Sequence, residues 1–229
     1  MSVIQFINDA GIVGWVIVSV GLAAFVLTVE RLYTLYFKYG MNFEEFSKRI
    51  STLVGQKRFD EALTLCSEWK DKPLPRAFHT ILQKSDQSED TIFQAQDIAL
   101  AETVPLVTKR LHHISMTANV ATLLGLLGTI HGLILAFAAV AQADPGQKQV
   151  LLANGISVAM YTTALGLIVS IPLMVAYSFL VSRQNELIGQ LHEKTGKLTE
   201  QLTSYDFSTV TTMNGASHKA PPPVSSRIA

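Results

Sequence analysis

Three stretches of this chain contain no Asp, Glu, Lys or Arg: residues 10–29, 111–143 and 149–182, which are 20, 33 and 34 residues long. A helix rises about 1.5 Å per residue and the hydrocarbon core of a bilayer is about 30 Å thick, so each stretch can cross it. The second and third exceed what lipid requires and are expected to project beyond it. Charged residues make up 16% of the chain against about a quarter in a soluble domain, and the shortfall is concentrated in these gaps. The expected fold is an all-α integral membrane protein with three transmembrane helices, because a spanning segment must satisfy its own backbone hydrogen bonds.

The rest of the composition removes other classes. Lys plus Arg equals Asp plus Glu at 18 each, which leaves no basic excess for nucleic acid. Cys66 is the single cysteine, so the chain has no internal disulfide and no multi-cysteine zinc site. No nucleophile-base pair or metal-spaced cluster is legible, and Gly125 and Gly128 lie in an apolar run without the strand and Lys of a nucleotide site. Neither an enzyme nor a bound cofactor is expected. The first apolar run lacks a cationic flank, is long for a signal-peptide core and is followed by Glu30-Arg31 instead of a small-residue cleavage site, so it reads as a retained helix.

The cations set an orientation. Residues 38–110 hold 11 of the 18 Lys and Arg, five more follow residue 182, and Lys148 alone lies between the second and third spans. The positive-inside rule places the middle segment and the C-terminus in the cytoplasm. The expected organisation is a periplasmic N-terminus (1–9), a first span (10–37), a cytoplasmic helical domain (38–114), a second span (115–141), a periplasmic loop (142–149), a third span (150–182), a cytoplasmic C-terminal helix (183–205) and a disordered tail (206–229). In the cytoplasmic segment, Phe43, Phe46, Ile50 and Leu53, then Phe59, Ala62, Leu63, Cys66 and Trp69, recur at helical spacing, and Pro73 and Pro75 are expected to end these helices. From Ser88 the pattern predicts one helix through the second span with Pro105 as a kink, and the third span is expected to continue through Leu187, Leu191, Leu198 and Leu202.

The second and third spans carry the informative residues. Ala121, Gly125, Gly128, Gly132 and Ala136 share one face, as do Gly155, Ala159, Thr163, Gly166 and Ser170. Small faces allow membrane helices to approach closely. Thr129, Thr162 and Thr163 are polar groups in otherwise apolar helices. A hydroxyl can satisfy itself on a carbonyl three or four residues back, but copies of an inward-facing Thr in a ring of subunits would line a water-holding path. Pro172 leaves the carbonyl of Ile168 without its helical donor.

Leu124-Gly125-Leu126-Leu127-Gly128-Thr129-Ile130-His131-Gly132, with Ala136-Phe137 after it, resembles the second-span signature of the MotA/TolQ/ExbB family. Thr162-Thr163-Ala164-Leu165-Gly166-Leu167 to Ile171-Pro172 resembles the third-span signature, and Val29-Glu30-Arg31-Leu32 and residues 73–82 match the layout. The resemblance covers about residues 10–205 and is to the three-span ExbB/TolQ type. It implies a bacterial inner-membrane subunit that forms a homopentamer around a central pore. The second and third spans would extend into a cytoplasmic bundle. The implied partner is a single-span ExbD/TolR-like protein, two copies per ring, whose intramembrane Asp carries protons past Thr129 and Thr163. The complex would use the proton motive force for work in the periplasm or at the outer membrane. Val158 stands where many ExbB and TolQ sequences have Glu.

The residues agree with the resemblance on one point: an ion path normally needs an intramembrane ionisable group, and the three gaps supply no carboxylate. His131 is the one titratable group deep in a span, readable as a relay or as a neutral packing residue. Glu30 and Arg31 read as headgroup, intersubunit or gating contacts. A rival from another class is a non-conducting scaffold in which the threonines merely pack.

Overall fold

The computed structural model describes residues 3–215, and the regular elements among them are helices. In chain order these are α1 (Val3–Asp9), α2 (Gly11–Tyr33), a π-helical turn (Thr34–Lys38), α3 (Phe43–Gly55), α4 (Phe59–Glu68), α5 (Pro73–Leu82), α6 (Glu89–Thr108), α7 (Leu111–Gln142) and α8 (Lys148–Gly215). They divide into two compact units: Met1–Gly40 with Val107–Leu187, and Met41–Leu106 with Ile188–Ala229. Among the described residues, three helical stretches are long and apolar enough to cross a membrane, beginning at Gly11, Glu89 and Lys148.

In the first unit α2 buries one narrow stripe: Gly14, Ile17, Gly21, Ala24, Thr28 and Arg31, at steps of three and four. Ile17 packs with Ala10 and Leu165, and Ala24 packs with Ala118 and Leu173, so α2 lies along both α7 and α8. Its other faces present Ile12, Trp15, Leu22, Phe25 and Val26, the pattern of a helix that is apolar all round. Gly11 takes φ +65, a left-handed value open to glycine, where α1 joins α2. At the other end the Tyr39 N–H donates to the Thr34 carbonyl at 2.9 Å, a five-residue step that loosens the helix among Tyr33, Tyr36 and Phe37. Aromatic residues of this kind collect at the membrane–water boundary.

The break before the second span falls at Arg110, not at Pro105. Pro105 lies inside α6, while Arg110 leaves helical geometry at φ 64 and separates α6 from α7. There its Nη1 donates to both carboxylate oxygens of Glu30 at 2.8 Å, a pairing between residues 80 apart that periodicity cannot reveal.

In the second unit the Asn42 side chain caps α3 by accepting from the Glu45 N–H, with Glu44 and Glu45 in the first turn where the helix dipole favours them. Phe43, Phe46, Ile50 and Val54 are buried, and the Phe46 and Phe78 rings lie 6.1 Å apart. Pro73 and Pro75 do not end the preceding helices but sit in the first turn of α5, where a missing N–H costs nothing; α5 therefore begins before Arg76. Trp69, expected on the apolar face of α4, is 44% exposed with the Lys72 ammonium 4.3 Å from its ring. The C-terminal part of α8 closes this unit: Gln201 donates to the Ser51 carbonyl at 2.9 Å and Lys194 pairs with Glu44. α8 runs past residue 206 to Gly215, a stretch without Pro or Gly until its last residue. The remaining residues of the expected tail, 216–229, lie outside the described residues.

Candidate functional site

α7 and α8 form an antiparallel pair whose seam is built from the small residues. A Cβ placed on Gly155 would lie 2.1 Å from the Ala136 Cβ, and one on Gly128 would lie 2.5 Å from the Thr162 Cβ. At Gly132 the nearest atoms belong to Ala159, and at Gly166 they are the main chain of Ala121 and Gly125. The seam thus pairs 136 with 155, 132 with 159, 128 with 162 and 121 with 166. Backbones come this close only where side chains are nearly absent.

The threonines take three different positions on this seam. Thr162 is 1% exposed, packed on Gly128, with its hydroxyl turned back to the Ala159 carbonyl at 2.8 Å. Thr163 is half-buried and points across the seam, donating to the Gly125 carbonyl at 3.4 Å and sharing the Ala159 carbonyl at 3.5 Å. Thr129 is half-buried, and its hydroxyl donates to the Leu126 carbonyl at 2.6 Å. Helical steps of three and four from Ala159 reach both 162 and 163, which is why periodicity admits either threonine to the buried position. All three hydroxyls donate to main-chain carbonyls; those of the half-buried Thr129 and Thr163 can also receive a hydrogen bond from water or an acid without carrying charge, whereas Thr162 is closed off against Gly128.

His131 is exposed on the face of α7 just before the seam residue Gly132, and Val158 is half-buried just before Ala159. Pro172 lies inside α8 three turns beyond Thr162. Near the seam's threonines, the packing of Phe6 on Tyr161, ring centroids 5.0 Å apart, brings α1 against the same turn of α8. Sequence periodicity gave no signal for that contact.

Glu30 and Arg31 form a separate cluster, about 24 Å along α2 from Gly14, which lies beside Leu165. Arg31 is 4% exposed, its Nη2 is 3.8 Å from Glu30, and its Nε has no hydrogen-bond partner. Glu30 therefore sits between a buried Arg31 and a half-exposed Arg110. Arg183 of α8 belongs to the same end of the unit: its guanidinium lies 5.7 Å from the Tyr36 ring, its Nη1 donates to Glu186 at 2.6 Å, and its Nε is likewise buried without a partner. Arg110 and Arg183 carry no local motif and were not legible as members of this cluster. No group of three or more His, Cys, Asp or Glu among the described residues could hold a metal ion.

The sequence model of the MotA/TolQ/ExbB proton channel family matches residues 69–193. An ExbB homolog of Methanothermobacter thermautotrophicus is 23% identical over 208 residues, covering 90% of this chain and 71% of that protein. The Tol-Pal system protein TolQ of Haemophilus influenzae is 32% identical over 94 residues, 41% of either chain. The solved structure of C. jejuni MotAB superposes with a TM-score of 0.60 at 18% identity, covering 93% of this chain and 87% of that one, a likeness of fold.

Proposed function

The chain belongs to the MotA/TolQ/ExbB proton channel family, and from that premise we propose that it is the ring-forming subunit of an ion-driven motor, with Thr163 and Thr129 on the ion path. As a member it is a multi-pass membrane protein and a channel subunit of an energy-transducing complex, of a class whose relatives are transport proteins and not enzymes. The proposal adds a homopentamer in the bacterial inner membrane, with the N-terminus periplasmic and the 41–106 unit cytoplasmic. It adds an ExbD/TolR-like single-span partner, two copies per ring, whose Asp carries the proton.

The observation that carries this reading is Thr163. It is the one of the three threonines whose hydroxyl spans the α7–α8 seam, and because it donates there its oxygen can still accept from a protonated carboxyl or water. The charge-free spans offer no carboxylate of their own, so the titrating group has to come from outside the chain. Thr162, wholly buried against Gly128, serves the path by fixing the seam. His131 has the exposure of a residue that meets a neighbouring subunit.

Replacing Thr163 with Val tests it. Co-reconstituted with its partner in proteoliposomes, Thr163→Val is expected to assemble normally and to lose proton flux about tenfold or more, equivalent to at least ~1.4 kcal/mol at the barrier. Thr163→Ser, which retains the hydroxyl, should conserve most of it. A Val variant with undiminished flux and partner-dependent work would sink the proposal and favour a scaffold whose threonines only pack.

A further inference from the structure

A groove of about 550 Å³ runs along the membrane unit between α2 and α8. Val18, Leu22 and Phe25 form one wall and Ile168, Val169 and Leu173 the other. The groove is open at one end because Ala176 has little side chain and the Thr28 hydroxyl is turned to the Ala24 carbonyl at 2.8 Å, while Val169 packs onto Gly21 in its floor. From Val18 to Thr28 its length is about 15 Å, most of the thickness of one leaflet. Its walls are almost wholly apolar.

The end of the groove at Thr28 and Ala176 leads to the arginine cluster. Arg31 follows Thr28 by one turn of α2, and Arg183 follows Ala176 by two turns of α8. Both have a buried Nε without a hydrogen-bond partner. Five cations, Arg31, Lys38, Lys109, Arg110 and Arg183, lie at this end in sequence, against the carboxylates Glu30 and Glu186. A buried guanidinium N–H left unpaired is unfavourable, and planar N–H forks match phosphate oxygens.

We propose that this groove is a binding site for an anionic phospholipid, one acyl chain lying against Phe25, Pro172 and Ala176 and the phosphate held by the partly exposed Arg183, with the buried Arg31 adding positive charge beside it. A neutral acyl chain alone would leave the excess of five cations over two carboxylates unanswered, and a free phosphate would leave the groove empty; a phospholipid answers both. The site would tie α2 to α8 at the end where α2 loosens into the π-helical turn. It requires only that the helices span a bilayer and is independent of ion conduction.

The test uses the full chain, purified as its native assembly, delipidated and offered equal dioleoyl-phosphatidylglycerol and dioleoyl-phosphatidylcholine, with retained lipid counted by native mass spectrometry. Phosphatidylglycerol should be retained about tenfold over phosphatidylcholine, whose phosphate accepts the same hydrogen bonds but brings a quaternary ammonium into a cationic cluster. Inorganic phosphate at millimolar concentration should not displace it. Arg183→Gln should abolish the preference and Arg183→Lys should restore part of it, while Ala176→Phe, which fills the groove, should remove retention of both lipids with the assembly intact. Equal retention of the two lipids, an unchanged preference in Arg183→Gln, or unchanged retention in Ala176→Phe would each overturn the site. Displacement by phosphate would assign the cluster to a free anion. Loss of the assembly in Ala176→Phe, with Arg183→Gln still preferring phosphatidylglycerol, would assign the groove to a helix of a neighbouring subunit.

Discussion

Replacing Gly166 with Ala asks whether the close seam between α7 and α8 is what holds Thr163 in place. A Cβ at this position would lie 2.8 Å from the Ala121 carbonyl oxygen, 3.0 Å from the Gly125 Cα and 3.3 Å from the Gly125 nitrogen. All three are main-chain atoms, so no side chain can rotate aside and the helices must part. Carbon atoms rest about 3.5–4.0 Å apart, so the seam has to open by roughly 0.5–1 Å at this level. The Thr163 hydroxyl is already 3.4 Å from the Gly125 carbonyl and loses that contact at once. Overpacking of this kind costs about 1–3 kcal/mol, and an interhelical hydrogen bond in a membrane contributes about 0.6 kcal/mol. Reversible unfolding of the purified chain in mixed detergent–SDS micelles measures both. Gly166→Ala should lose about 1–3 kcal/mol and Thr163→Val about 0.6 kcal/mol. The double variant should lose less than their sum, because Gly166→Ala has already removed the bond. Gly189 is the control: nothing lies within 4 Å of its would-be Cβ, so Ala there should stabilise by up to about 1 kcal/mol. Wild-type stability in Gly166→Ala, or strict additivity with Thr163→Val, would refute the reasoning.

The Glu30 cluster should respond asymmetrically to its two arginines. Arg110→Gln removes a pair whose side chains are 43% and 41% exposed and should cost no more than about 1 kcal/mol, whereas Glu30→Gln uncovers the buried Arg31 and should cost about 3 kcal/mol in the same unfolding assay. The reverse order would mean that Arg31 has another anchor. Burial pushes the Cys66 thiol up to about 12, so iodoacetamide at pH 8 should label the native chain on the order of a thousandfold more slowly than the denatured one; comparable rates would place Cys66 outside the core. In the same unit the hydrogen bond from Lys194, then that from Lys48, holds the Glu44 carboxyl below its ordinary range, and Lys197 followed by Lys194 does the same to Glu193. The unfolded chain therefore takes up more protons in acid, and this contribution to stability is present above about pH 4.3–4.5 and is lost as pH falls through the depressed values. The Lys194 ammonium is raised, first by Glu44, so its share persists below about pH 10.4 and fades only as pH climbs through the raised value. Hydrogen-exchange protection in α3, taken relative to the intrinsic rate at each pH, should fall less steeply between pH 6 and 3 in Glu44→Gln than in the wild type; equal slopes would remove Glu44 from the acid response.

Apolar and small-residue patterning made the membrane unit legible, because in lipid each helix must satisfy its own backbone and only the small face has a choice of neighbour. Gly125, Gly128 and Gly132 declared their face in this way, and Gly155, Ala159 and Gly166 declared the one that meets it. Patterning could not decide between Thr162 and Thr163, since both fall within one helical step of Ala159; the decision rests on which side chain the Gly128 surface accommodates. Nor could it place the break at Arg110, where the helix yields to a carboxylate 80 residues away and not to the nearby Pro105. The proline rule misplaced a boundary at Pro73 and Pro75, because a proline in the first turn lacks only an N–H that the helix would not have used. Long-range ion pairs and cap positions are set by tertiary neighbours, and a single sequence records them only as isolated charged or breaking residues.

The excess length of the last two spans bears on how the chain must be used. A charge-free stretch of 33 residues in a helix is about 50 Å long, and lipid covers about 30 Å of it, so about 20 Å lies outside the hydrocarbon wherever the bilayer is set. α2 accompanies only part of this length, since its first turn is level with Leu165, and the turns of α7 and α8 beyond it present Leu135, Phe137, Val150, Ile156 and Met160 with more than a third of each exposed. Lipid covers such surface within the hydrocarbon, and wherever it extends into water it has to be covered by protein. Further copies of the same hairpin are the economical cover, because they bring the same exposed residues and leave the small-residue seam within each copy undisturbed. A ring built this way would close around helices whose inward side is neutral, and a carboxylate brought by a separate chain would then be the one strong charge in its interior. The proposed partner fits the same feature that makes the chain a membrane protein: its spans hold hydroxyls that could accept from a proton carrier, and no carboxylate that could be one.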